Sequence, residues 1–285
     1  MKRLVLILSL VLTAACTKSW QPEGEELLVI EGWIDEGKYP VVMVTTSVPT
    51  ETEYQAIDDQ KKHLGRWARV EVSDGETSIL FTGMTDKNYF PSYLYTCTGV
   101  SGYIKGVAGK TYTLTVDLNG HHATASTTVP AAVPLDKLEA VPSADNPGKY
   151  RLEATFGNPA GAGRYYRLFI KTEGADDSYV PSFMGCLEGD NLADPATIEI
   201  MKGQSVQNDS GWEWNPALYD YGEKVHVKFC TMDRVSFDFW NSFEKIAALS
   251  RVPFFPVTYN PPYNVAGGIG CWCGYGASEY SIEIK

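Results

Sequence analysis

The chain is 285 residues long and carries 35 acidic against 24 basic side chains, a formal charge of −11. That balance repels phosphate backbones, and with no basic cluster to offset it, nucleic acid is excluded as a partner. The length suffices for two ordinary domains, each able to bury its own core.

Residues 1–16, MKRLVLILSLVLTAAC, read as an export signal that ends in a cysteine to be lipidated. Lys2 and Arg3 precede an apolar run from Leu4 to Leu12, too short to cross a hydrocarbon core of ~30 Å as a helix. Small residues Ala14 and Ala15 stand before Cys16, which suits a peptidase that cleaves in front of a diacylglyceryl-modified cysteine. Cys16 then becomes the mature N-terminus and holds the protein in outer-membrane lipid. Two or more acyl chains anchor firmly because each buried methylene contributes about 0.8 kcal/mol. Residues 17–26, polar with Pro and Gly, make a flexible tether. Acidic residues begin only at Glu23, so both the periplasmic and the surface face stay open.

Residues 27–132 show short β-rich runs punctuated by turn residues, as in LLVIEGWI, YPVVMVTTSV, RVEVSDGETSILFTG and KTYTLTVDLNGHHATASTTVP. This rhythm predicts an antiparallel sandwich, with two-residue hairpins at Asp74-Gly75 and Asn119-Gly120. Residues 51–66 interrupt it with a polar, exposed insertion. Pro130, Pro134, Pro142 and Pro147 mark a boundary, and residues 133–149 read as a linker.

Residues 150–285 repeat the strand rhythm in YRLEATFGNP, RYYRLFIKTE, ATIEIMKG and KVHVKFCTMD. Residues 175–195 read as a long connection carrying Cys186. A helix is predicted over 236–249, where Phe239, Phe243, Ile246 and Leu249 recur at helical spacing and Asp233 or Ser236 caps the start. The chain closes on a Gly-rich bend, NVAGGIGCWCGYGAS, leading into a final alternating strand. The expected fold is therefore all-β: two tandem immunoglobulin-like β-sandwich domains with one short helix in the second.

Five cysteines remain beside Cys16, and the exported compartment is oxidising. Cys271 and Cys273 alternate onto one face of a strand, which makes a mutual bond awkward, so pairing of one of them with Cys186 or Cys230 is expected. Cys97 is the fifth. No nucleophile elbow, HExxH, phosphate loop or EF-hand spacing is present. His63, His121, His122 and His226 read as structural or solvated. The cluster Glu188, Asp190, Asn191 and Asp194 lacks the spacing of a calcium loop. No catalytic residue, metal or cofactor is assigned. The most suggestive residues for ligand or partner contact are Trp212, Trp214, Tyr219 and Tyr221, aromatics packed into the turn-rich segment GWEWNPALYDYG.

The ordered set of a lipoprotein signal, LLVIEGWI, GKTYTLTVDLNGHHATASTTVP, GNPAGAGRYYRLFI, KVHVKFCTMDRVSFDFW and NVAGGIGCWCGYGAS resembles a Bacteroidetes-type lipoprotein family defined as domain of unknown function 4249. The resemblance spans the whole chain. It implies a helper role in uptake or surface recognition beside TonB-dependent β-barrel receptors, and it supplies neither reaction nor ligand. The Cys-Trp-Cys motif lies outside the family pattern. The function expected is that of a non-enzymatic, lipid-anchored outer-membrane binding protein. A cell-surface adhesin or structural subunit is one alternative. A hydrolase whose Ser, His and acid converge only in the folded chain is the other.

Overall fold

Strand-forming runs with period-2 burial dominate the chain, and the fold is all-β with one helix. The computed structural model describes residues 26–47, 61–203, 215–249 and 261–285. Residues 1–25, which hold the expected export signal, most of the polar insertion, and Trp212 and Trp214 lie outside those residues. Among the described residues there are seventeen strands and one α-helix.

A long sheet of eight strands forms the backbone of the molecule, in the order β12 (Val180–Glu188), β11 (Tyr165–Thr172), β15 (Lys224–Met232), β17 (Gly268–Glu283), β1 (Leu28–Asp35), β2 (Val41–Thr46), β6 (Tyr93–Thr96) and β5 (Thr82–Thr85). A five-stranded sheet, β16 (Val265–Ala266), β8 (His121–Thr128), β7 (Thr111–Leu118), β3 (Arg69–Ser73) and β4 (Ser78–Leu80), packs on the β1–β2 end. A smaller sheet of β13 (Ala196–Ile200), β10 (Lys149–Phe156) and β14 (Tyr219–Asp220), with β9 (Lys137–Pro142) beside β10, packs on the β11–β15 end. The two sandwiches thus share one sheet. Strand β17 joins them: its first half runs parallel to β1, from Leu28 opposite Gly268 to Asp35 opposite Tyr275. Its second half runs antiparallel to β15, from Thr231 opposite Gly276 to Lys224 opposite Glu283.

The Gly-rich end of the chain is part of this strand rather than a bend before it, and the alternation explains why. Gly270, Trp272, Gly274 and Gly276 fall on the inner face, Cys271, Cys273, Tyr275 and Ala277 on the outer. The Trp272 ring lies over Gly32, where a Cβ would meet ring carbon Cε3 at 2.8 Å. Its indole N–H donates to the Tyr112 carbonyl at 3.0 Å, deep in the first core. At Gly274 and Gly276 the chain leaving β8 crosses so closely that Cβ atoms would sit 2.7 Å from the Thr128 oxygen and 2.4 Å from that of Pro130. Small residues are required there because one chain passes over another.

The first core is built from residues such as Ile30, Val44, Val72, Leu114 and Val116, with Val265 and Trp272 contributed by the end of the chain. The second collects Leu152, Phe156, Tyr166, Leu168, Val227 and Phe229, with Ile284. Its rings pack tightly, Phe156 to Phe229 at 4.7 Å between centroids. Within residues 133–149 the β9 strand places Leu138 and Ala140 against this core.

Local expectations fared unevenly. Asn119 and Gly120, at φ 52° and 84°, close a two-residue hairpin with Leu118 opposite His121, as the sequence predicts. Asp74-Gly75 instead opens a four-residue loop between Ser73 and Ser78. The Asp74 carboxylate accepts the Glu76 and Thr77 amides and so stabilises a wider turn. Residues 180–188, expected within a loop, form β12. Its alternation is hidden by an irregularity at Met184, which has φ +52° and stands where the register with β11 shifts.

Candidate functional site

Strict alternation along β11, β15 and β17 sends Tyr166, Leu168, Val227 and Phe229 into the second core and sends Arg167, Phe169, Lys228, Cys230, Cys271, Cys273 and Tyr275 to the opposite face. An open sheet face would be wet. Here the helix α1 (Arg234–Leu249) covers it. Asp233 caps the helix by accepting the Ser236 amide at 2.8 Å, one of the two caps the sequence offers. The buried stripe matches the expected one in part. Phe239 is buried as expected, joined by Phe237 and Trp240, while Phe243 is 49% exposed. Phe237 meets Tyr165 at 4.9 Å between ring centroids, which docks the helix start on β11.

Beneath α1 lies a chemically dense layer. Arg167 is 3% exposed, and its guanidinium stacks 3.6 Å from the centroid of the Trp240 ring and donates to the Tyr275 hydroxyl at 2.9 Å. On either side of Arg167 in register stand Cys186 and Cys230. The Cys186 thiol donates to the Glu244 carboxyl at 3.3 Å. Burial pushes both of these groups upward, the thiol strongly, while the Arg167 charge pulls each of them back down. Burial likewise raises Cys230 to about 12. One step along the strands, the Lys228 ammonium bonds the Asp35 carboxylate at 2.8 Å, both residues under a tenth exposed, and lies 4.6 Å from the Phe169 ring.

The expected disulfides are not formed: the five described cysteines are free. Cys230 stands opposite Ala277, four residues along β17 from Cys273, about 13 Å at the strand rise and beyond the ~7 Å limit between bridged Cα atoms. The nearest neighbour of Cys271 is Cys273, sulfur to sulfur at 3.1 Å. Cys97 lies apart in the first core.

Further along the same face, beyond α1, Ser281, His226 and Glu173 converge. His226 Nδ1 lies 2.7 Å from the Ser281 hydroxyl and its Nε2 lies 3.0 Å from Glu173 Oε1. Cross-strand register sets the first contact, because His226 stands opposite Ser281. These residues line a shallow hollow of about 190 Å³ with Lys224 and Glu283, below the ~300–1,000 Å³ of ordinary ligand pockets.

The predicted contact residues separate. Tyr219 is a core residue whose hydroxyl donates to the Ile200 carbonyl at 2.9 Å, so its ring is not a surface contact. Tyr221 is 70% exposed, with Tyr150 beside it at 6.4 Å. Trp212 and Trp214 lie outside the described residues. A second surface pair, missed in the sequence, is Tyr39 stacked on Tyr103 at 5.5 Å, with the Lys105 ammonium 4.9 Å from the Tyr39 ring. Its partners are far apart in the chain, so only Gly99, where a Cβ would strike the Tyr103 hydroxyl, hints at it. Among the described residues no three His, Cys, Asp or Glu side chains gather as a metal site. Asp194 and Glu188 of the acidic cluster accept hydrogen bonds from the Asn158 backbone amide and the Asn191 side chain.

The architecture places the chain among all-β sandwich proteins. More narrowly, the family described as "Domain of unknown function (DUF4249)" matches residues 18–280, and the chain belongs to that family. No curated protein matches it.

Proposed function

We propose that the protein is a non-enzymatic binding protein of the outer membrane, anchored by lipid at Cys16 and accessory to a TonB-dependent β-barrel receptor in nutrient uptake or surface recognition. The observation that carries this reading is the segment MKRLVLILSLVLTAAC, a short apolar run ending in Ala-Ala-Cys. Exposed rings support it: Tyr221 beside Tyr150, and Tyr39 stacked on Tyr103, are preformed aromatic surfaces that stack on sugar faces or anchor a protein interface at small entropic cost. The test is mild-detergent affinity purification of the tagged protein from its own outer membranes, with Cys16→Ala as control. Recovery of one β-barrel receptor in fixed ratio supports the accessory role. Recovery of the anchored protein alone overturns it and favours an adhesin.

A second reading, a hydrolase, is favoured by the Ser281–His226–Glu173 convergence. It is the weaker one, because Ser281 sits inside a strand rather than at a helix N-terminus that would supply oxyanion donors. We expect a fluorophosphonate serine probe to leave Ser281 unmodified. Labelling there that vanishes in His226→Ala would reverse the order of the two readings.

A further inference from the structure

The Cys-Trp-Cys segment of β17 sends its tryptophan into one core and its two thiols into the layer under α1. Both cysteines are fully buried and their sulfurs are 3.1 Å apart, about 1 Å more than the ~2.05 Å of a covalent bond. Two polar groups face the second sulfur: the Cys271 sulfur at 3.1 Å and the Trp240 indole N–H, which points at it from 3.2 Å. Ser236, from the same helix start, is fully buried and its hydroxyl has no hydrogen-bond partner. Ser236 and Trp240 come from the first two turns of α1, so the positive end of the helix dipole lies beside the pair.

We propose that Cys271 and Cys273 form a redox-active dithiol site that exchanges with the disulfide of a thiol oxidant in the exported compartment, Cys273 acting as nucleophile and Cys271 as resolving thiol. The electrostatics agree. Burial pushes Cys273 upward, yet its hydrogen-bond donors, led by the Cys271 thiol, and the Arg167 charge hold it below the usual thiol value. Cys271, raised by the contact with the Cys273 sulfur and by burial, is driven well above that value.

The steps balance. The Cys273 thiolate attacks one sulfur of the oxidant, forming a mixed disulfide, and the released oxidant thiolate takes up the proton Cys273 lost. Deprotonated Cys271 then attacks the Cys273 sulfur, the bond to the oxidant breaks, and the second oxidant thiol leaves with the Cys271 proton. The protein gives up two protons and two electrons, and the oxidant disulfide becomes a dithiol. Two residues along a strand span about 6.7 Å between Cα atoms, at the upper end of the range a disulfide tolerates. The resulting bond is strained, which makes it exchangeable rather than permanent. Burial under α1 limits access, so exchange requires the helix start to lift from the sheet.

The test uses the full-length lipidated protein in mild detergent, equilibrated across a series of oxidised to reduced glutathione, acid-quenched, denatured, alkylated and mapped by mass spectrometry. The expected result is loss of two alkylatable thiols from the five outside the lipid anchor, an internal bond at Cys271–Cys273, and recovery of both thiols with dithiothreitol. Cys271→Ser should trap one glutathione on Cys273. Cys273→Ser should slow loss of the remaining thiol about ten-fold or more, because the thiolate is the attacking species. Five thiols persisting across the series, a bond mapping to Cys186 or Cys230, or an adduct elsewhere in Cys271→Ser would each overturn the proposal.

Discussion

A buried charge reveals its cost when its partner is removed. Lys228 and Asp35 bond at 2.8 Å, and Asp35 Oδ1 already has no partner. We predict that Lys228→Met, which strands the carboxylate, lowers stability by about 3–5 kcal/mol, while Lys228→Met with Asp35→Leu recovers most of that. Denaturant unfolding of both variants measures it, and equal losses would show the two sites uncoupled. Asp74 gives a pH prediction. The hydrogen bond from Lys110, with the Thr77 amide, lowers its carboxyl from 3.8 to about 2. The folded value is depressed, so this stabilisation is complete above about pH 4 and is lost as pH falls through about 2. Asp74→Asn should flatten that part of the thermal-stability profile. Residue by residue, the sequence shows which side chains are chemically capable and not where they go. Tyr219 and Tyr221 have the same parity, yet one is core and the other surface, because β14 is two residues long and Gly222 turns the chain at φ 87°.

Elements with a local cause were legible. The Asn119-Gly120 hairpin follows from two residues that tolerate positive φ, and the start of α1 from an Asp whose carboxylate reaches the third residue beyond it. Elements shaped by neighbours were not. β12 is interrupted by its bulge, and the buried face of α1 is set by Arg167, Tyr165 and the thiols beneath it, so Phe239 keeps its expected place while Phe243 yields to Phe237 and Trp240. The glycines of β17 make the sharpest element-level prediction. In Gly276→Ala the new Cβ would fall 2.4 Å from the Pro130 oxygen and 2.5 Å from Thr231 Oγ1, and backbone must move. A loss of about 1–3 kcal/mol is expected, against little change for Gly157→Ala, which meets nothing within 4 Å. Comparable stabilities in the two variants would show that the crossing at β17 is loose.

At the scale of the molecule, β17 belongs to both halves. It gives Trp272 to the first core, is followed by Ile284 in the second, and pairs with β1 on one side and β15 on the other. Ending the chain at Ala266 should therefore abolish cooperative unfolding of the whole protein, whereas removal of residues 1–25 should leave the midpoint unchanged, as circular dichroism during heating would show. A cooperative transition surviving the C-terminal truncation would mean that one half folds without the strand. The sequence alone determined the all-β class, the family, the tight Asn-Gly turn and the helix cap, because alternation, turn chemistry and capping act over a few neighbouring residues. Only the tertiary structure decided that the first and last strands lie side by side in parallel, that two sandwiches share a sheet, and that Arg167, Trp240 and four cysteines meet under one helix. Those outcomes depend on which distant strands bury each other's faces best, a competition settled across the whole chain and written in no single segment of it.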